Sequence, residues 1–236
     1  MPRIAAFLPA EHTLEIAPGH GRITQYLAPA SERLSIVDLT EDCIAACRER
    51  FAAYDHIGYH VNDGTSLDMI DDCSVDFAFS WDSLVHVEAD TMAAYIRQLG
   101  RKLRPGGYGF FHHSNLDGCR DPQTGGLGFE NEHWRAQTMS AAKLQQFCAT
   151  AGLRTVVQEL LPWDGKHYTD CISVFRRDAR LPKWVPSRPA VIRNTRFFPQ
   201  VQQKLAAEIR AITRPYRADL RLPGLHKGNV LDGNVR

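Results

Sequence analysis

Three stretches place titratable side chains at the ends of apolar runs. Ser80-Trp81-Asp82-Ser83-Leu84-Val85-His86 follows the run at 75–79, His112-His113-Ser114-Asn115 follows 108–111, and Tyr168-Thr169-Asp170 leads into 171–175. An imidazole oriented by a carboxylate can take a proton from a weak nucleophile such as a hydroxyl, a contribution of about 10²- to 10⁴-fold in rate. His113, or else His112, is the candidate base, with Asp82 orienting it or binding the acceptor. Neighbouring residues of a strand point to opposite faces, so only one of the two histidines can face a site without a bend. The competing reading is structural, with one histidine packed in the core and the other capping the turn at Asn115. Asp82, His86, His112, His113 and His133 also offer enough ligands for a divalent metal. Their spacing matches no closed metal motif, so no metal is expected.

A second set of residues makes a cradle. In Leu14-Glu15-Ile16-Ala17-Pro18-Gly19-His20-Gly21-Arg22 an apolar run gives way to small residues and then to a helix with apolar Ile23, Tyr26 and Leu27. A strand, a glycine turn and a helix N-terminus together suit a nucleotide-like ligand, because a residue without Cβ lets the backbone pass directly beneath it. Such turns also occur where nothing binds. His20 lies in this turn and is expected to line the pocket. Asp38 ends the run at 34–37, placing it to accept hydrogen bonds from both hydroxyls of a ribose. Otherwise it caps the next helix, a job that Thr40 can do instead. Asn62-Asp63-Gly64 closes a third run at 57–61. Asp63 there either faces an adenine amino group or is a plain turn residue.

These residues need a scaffold, and the periodicity supplies one. Helical spacing at 41–53 (Ile44, Cys47, Phe51) and 90–103 (Met92, Tyr95, Ile96, Leu99) alternates with the apolar runs, with a short helical turn at 67–70. Alternation from 14 to 112 implies a doubly wound parallel sheet covered on both faces, an α/β fold. Residues 116–137 are glycine-rich and polar and read as a loop over the site. Ser140 caps a helix that Gly152 ends. The segment joining the last two strands, 154–160 and 170–175, is too short for a parallel crossover. An antiparallel hairpin therefore closes a mostly parallel sheet of seven strands.

In this order the motifs resemble those of the class I S-adenosylmethionine-dependent methyltransferases, over about residues 14–177. Glu15-Ile16-Ala17-Pro18-Gly19-His20-Gly21 resembles that family's acid-x-Gly-x-Gly-x-Gly motif. Asp38 matches its ribose-binding acid, Asn62-Asp63 its adenine-binding position, 76–80 its fourth-strand motif, and Leu103-Arg104-Pro105-Gly106-Gly107 the turn before its fifth strand. The resemblance implies a Rossmann-like fold and S-adenosylmethionine as cofactor. The cofactor-binding residues it implies are Glu15, Ala17, Gly19, His20, Gly21, Asp38, Leu39, Asn62, Asp63, Gly64, Ser80 and Trp81. Ala17 stands where the family has glycine, and an ordinary φ is expected there. The stretches at 80–86, 112–115 and 168–171 resemble a bacterial subgroup that O-methylates sugars and surface polysaccharides, which implies a glycan or glycoside acceptor. Methylation of another small molecule or of RNA, and cofactor binding without catalysis, are the alternatives. A dehydrogenase fits less well, since Thr24 is a loose match to its third small residue.

The 236 residues, 44% apolar and 23% charged with a net charge of +1, fit one large domain, or a domain with an appendage. Nothing in the sequence has the length of an apolar membrane span, and no secretory leader is evident, so a cytoplasmic protein with reduced cysteines is expected. Residues 1–177 read as the cofactor-binding domain, and 178–236 as a basic extension with a helix at 199–212. Twelve Lys and Arg face four Asp and Glu in that extension. It reads as a solvated wrap, a partner or homodimer surface, or a binding site for an anionic acceptor. Nucleic acid is not expected, for want of an RNA-binding signature.

Overall fold

Alternating apolar residues give this chain strands with two buried faces, and the strands assemble into one sheet. A computed structural model describes residues 2–178, 188–194 and 207–214. Among these residues the sheet has eight strands: β1 (Ala10–Ile16), β2 (Ser31–Asp38), β3 (Ile57–Val61), β4 (Val75–Ser80), β5 (Leu103–Ser114), β6 (Leu153–Leu161), β7 (Asp170–Arg177) and β8 (Ala190–Arg193). Their spatial order is β3-β2-β1-β4-β5-β7-β6-β8. Strands β1 to β5 are parallel, and β7 is antiparallel to both β5 and β6. The order reverses between β1 and β4, and ligands of such sheets bind outside the strands' carboxyl ends at that crevice.

The α-helices within residues 2–178 are α1 (Thr24–Leu27), α2 (Glu41–Arg50), α3 (Ala89–Lys102) and α4 (Ala141–Thr150). One sheet face, with Leu34, Ile36, Phe77, Phe79, Phe110, Ile172 and Val174, is covered by Ile4, Phe7, Leu27, Ile44, Phe51 and Ile209. The other, with Leu14, Ile16, Ala78, Phe111 and Phe175, is covered by α3 through Ile96 and Leu99 and by α4 through Leu144 and Cys148. Thr40 is the N-cap of α2 and Ser140 that of α4, each accepting a backbone N–H three residues on.

Several expectations need correction. The sheet has eight strands, not seven. The proline-rich extension contributes Ala190-Val191-Ile192-Arg193, which pairs in parallel with β6, the β-branched pair Val191 and Ile192 supplying strand propensity in an otherwise poor context. Ala17 does not have an ordinary φ but sits at +56°, in the left-handed region. The first helix is a single turn that begins at Thr24, because residues 19–23 form the turn itself and Pro29 follows closely. Residues 67–70 make an isolated turn and no helix. The fifth strand starts at Leu103, with the Pro-Gly-Gly segment bulging out between the pairs Val75–Leu103 and Phe77–Tyr108. Part of the helix expected at 199–212 lies outside the described residues. Residues 207–213 are helical, and Ile209 is buried in the first core.

Candidate active site

One side of the crevice is built around the β1–α1 turn. Gly19 has φ +56° and open space where a Cβ would point, whereas a Cβ on Gly21 would strike the Phe51 ring at 2.4 Å. The first glycine therefore leaves a cradle and the second permits close packing of the turn on α2. The turn is tied down on both sides. Cys47 Sγ donates to the Gly19 carbonyl (3.2 Å), Arg50 to that of His20 (2.8 Å), and Ser83 Oγ to that of Ala17 (3.0 Å). His20 is exposed.

Asp38, at the carboxyl end of β2, accepts hydrogen bonds from the amide of Gly19 (3.2 Å) and from the amide and hydroxyl of Thr40 (3.1 and 3.3 Å). The carboxylate is nearly buried and borders the same space as the glycine turn. Leu39 beside it is 60% exposed, an uncommon place for a large aliphatic side chain, and lies against Gly64. Asn62 is spent internally, donating to the Ser66 carbonyl and Tyr95 and accepting from Gly64. Asp63 Oδ1 caps the following turn through Thr65 and Ser66, bonds that hold its carboxyl below the usual range, and Oδ2 is left toward the outside. Beneath the turn, Glu15 is buried and accepts from Thr24 Oγ1 at 2.6 Å. Burial raises its carboxyl to about 7, against the Thr24 hydrogen bond and with help from the Asp38 charge.

The other side of the crevice is built from side chains. On β5, Phe110 belongs to the first core and Phe111 to the second, so alternation sends His112 and His113 to opposite faces. His113 is fully buried with both ring nitrogens used: Nδ1 bonds the Ser114 carbonyl (2.8 Å) and Nε2 the Ser173 hydroxyl (2.9 Å). Burial pulls its imidazole down to about 4. His112 Nε2 bonds Asp170 Oδ2 at 2.9 Å, while its Nδ1 is buried without a hydrogen-bond partner. The ring packs against Trp81 (4.6 Å between centroids) and Trp163 (5.2 Å). Asp170 also receives Arg135, through Nε to Oδ1 (2.9 Å) and Nη2 to Oδ2 (2.8 Å). Burial pushes the Asp170 carboxyl up, but the hydrogen bonds from His112 and Arg135 outweigh it and hold the group below its usual range.

Asp82, at φ +59°, pairs with Arg22 (2.9 Å), linking the strand-four tip to the glycine turn. The acid that meets a histidine at this site is Asp170. Ser80 Oγ is buried and unpartnered at the end of β4. His86 bonds the Trp134 carbonyl, and among the described residues no group of three or more His, Cys, Asp or Glu could hold a metal ion. Arg135 and Trp163 carried no signal in the sequence. Each is a single residue in an irregular segment, and only the fold brings them to β5.

Residues 13–107 match the family model described as "Methyltransferase domain". Over these residues the chain resembles a methyltransferase domain. The match runs from β1 through the Pro-Gly-Gly bulge. No curated protein matches the chain, but solved structures share the fold. The N-methyltransferase NodS from Bradyrhizobium japonicum WM9, in complex with S-adenosyl-L-homocysteine, is 19% identical with a TM-score of 0.55, over 75% of this chain and 83% of that one. A SAM-dependent methyltransferase from Methanosarcina mazei is 16% identical with a TM-score of 0.54, over 73% and 94%. The CurJ carbon methyltransferase is 15% identical with a TM-score of 0.51, over 72% and 49%. At these identities the likeness carries the fold alone. The match to a methyltransferase domain indicates S-adenosylmethionine as the cofactor. No helix among the described residues is long and apolar enough to cross a membrane.

Proposed function

We propose that the protein is an S-adenosylmethionine-dependent O-methyltransferase acting on a sugar hydroxyl of a glycan or glycoside, with His112 as general base. The observation that carries this reading is the His112–Asp170 pair. Its Nε2 bond to the carboxylate fixes the tautomer that leaves Nδ1 as an acceptor, and Nδ1 is a buried lone pair with nothing bonded to it. A hydroxyl needs such a base because it is a weak nucleophile. His113, the first choice from the sequence, has no nitrogen to offer. Asp170 takes the orienting role considered for Asp82.

The donor residues fit the cofactor. The open Gly19 would cradle it, Asp38 would accept from its ribose hydroxyls, exposed Leu39 would pack on its adenine, and Asp63 Oδ2 would accept the adenine amino group. When bound, the cofactor supplies an electrophilic methyl group. The protein's part is to hold the acceptor in line with it and to remove one proton. Trp81 and Trp163 flank His112 and offer planar apolar faces to the C–H faces of a sugar ring. The His112 ring is closed over in this structure, so an acceptor reaches Nδ1 by displacing one of these half-buried tryptophans. The catalytic unit spans residues 1–177. Of the basic extension 178–236, β8 and Ile209 pack on this unit, and its excess of Lys and Arg would suit an anionic glycan.

The test is incubation with donor labelled in the methyl group and a panel of glycosides, small phenols, amines and RNA. Label in an acid-stable methyl ether of a glycoside, lost in His112→Gln but kept in His113→Gln, is the expected result. Label on an amine or on RNA overturns the acceptor class, and full turnover by His112→Gln overturns the base.

A further inference from the structure

Arg135 reaches the site from the irregular segment between β5 and α4, and we propose that it is the positioning residue that keeps His112 Nδ1 bare, so that the base is complete only when this segment is seated. The inference rests on the reading of His112 as base. Asp170 is fully buried, and a buried carboxylate is costly unless its charge is matched. The Arg135 fork matches it with one donor on each oxygen, leaving His112 to give only a neutral N–H to Oδ2. A pair of this kind is planar and bidentate, which an ammonium cannot reproduce.

Without the guanidinium, the buried anion would be relieved by drawing another proton into the pair. His112 Nδ1 can take it, becoming an N–H and ceasing to be an acceptor; Asp170 Oδ1, freed of Arg135 Nε, is the competing site, and a proton that settles there instead overturns the proposal. Asp170 meets the His112 ring from β7, Trp81 from the end of β4, and Trp163 from the β6–β7 turn, while His113 on the same strand projects to the far face. The placement of Arg135 is itself firm. Its amide and carbonyl are both bonded to the Asn131 side chain (2.9 and 2.8 Å), the next amide bonds Val85 O, and its guanidinium lies over the Trp163 ring at 5.1 Å. Phe129, on the same segment, stacks on His167 of the β6–β7 turn at 3.9 Å. Unseating the segment would therefore withdraw Arg135 from Asp170.

The test reads tautomers by ring ¹⁵N–¹H spectroscopy of the ¹⁵N-histidine-labelled full-length protein near neutral pH, with His112→Gln for assignment. His113 is an internal control, since its Nδ1 donates to Ser114 O and its Nε2 accepts from Ser173, the opposite tautomer. Wild-type protein is expected to show His112 protonated at Nε2 and bare at Nδ1. In Arg135→Met both His112 nitrogens become protonated while the His113 pattern stays. Arg135→Lys, which keeps a charge but loses the fork, gives a mixture. An unchanged His112 pattern in Arg135→Met, or in Arg135→Lys should the first variant not fold, overturns the proposal, as does an equal change in both rings. Absence of a bare Nδ1 in the wild type overturns the base assignment instead.

Discussion

The two sides of the crevice are made of different material. The donor side, around β1, β2 and β3, is mostly backbone: a glycine turn, its carbonyls tied by Cys47 and Arg50, and acids whose oxygens bond nearby amides. The side proposed for the acceptor, around β5 and β7, is a cluster of long side chains from five separate places in the chain, Trp81, His112, Arg135, Trp163 and Asp170. Backbone cradles tolerate little change of residue type, whereas side-chain clusters can be replaced one member at a time. The family model matches residues 13–107 and stops before His112.

The sharpest way to break this comparison is to exchange the two histidines' roles. His112→Gln should lower turnover by about 10²- to 10⁴-fold with donor affinity unchanged, as read by labelled methyl transfer and calorimetry with the donor. His113→Ala should leave turnover per folded molecule intact while destabilising the protein by about 2–4 kcal/mol, from the cavity and the stranded Ser173 hydroxyl. Equal losses of turnover in both variants would erase the distinction between the two faces of β5.

On the donor side the expected effects are on binding and on pH. Glu15, with an ordinary carboxyl value of 4.5 and about 7 in the fold, contributes stability that is fully present below about 4.5 and lost as the pH rises through 7. Glu15→Gln should therefore gain on the order of 3 kcal/mol at pH 8 relative to wild type, and nothing at pH 4, in paired denaturant titrations. His113 has the opposite sign. Its fall from 6.5 to about 4 makes stability present above 6.5 and lost as the pH drops through 4. Asp38→Ala should weaken donor binding about ten- to hundredfold without changing acceptor affinity.

The smallest effect concerns Ala17. A left-handed alanine is strained by about 1 kcal/mol, and Ala17→Gly should raise stability by up to that amount, less what glycine adds to the unfolded chain's freedom. A loss of stability on that substitution would mean that the Ala17 methyl group packs usefully despite its φ.

The same contrast decides what could be read without a structure. The glycine turn, Asp38 and the parallel sheet were legible because strand periodicity and small residues are local signals. The polar ends of strands four, five and seven were legible as a set, but not their pairing. Which histidine faces inward depends on the phase of β5, and that phase follows from which of Phe110 and Phe111 packs on which layer of helices. Arg135 and Trp163 depend on contacts across long sequence separations. The eighth strand was missed because its four residues sit among prolines and arginines and gain their order from an existing edge on β6. The left-handed Ala17 was missed because residue type argued against it, and the turn's fixed ends, Val37 O to Ala17 N and Ala17 O to Ser83, overrode that preference.

Strand β8 has a consequence for how the molecule is made. Buried Glu159 on β6 takes a two-pronged contact from Arg3 (2.7 and 2.8 Å) and a third bond from Asn194 (2.8 Å), just past β8. During translation Arg3 emerges from the ribosome long before Glu159 does, and Asn194 emerges afterwards. The cluster can therefore close only once residues 3, 159 and 194 have all been made, and a ribosome stalled before residue 194 would leave β6 as an uncovered edge of the sheet.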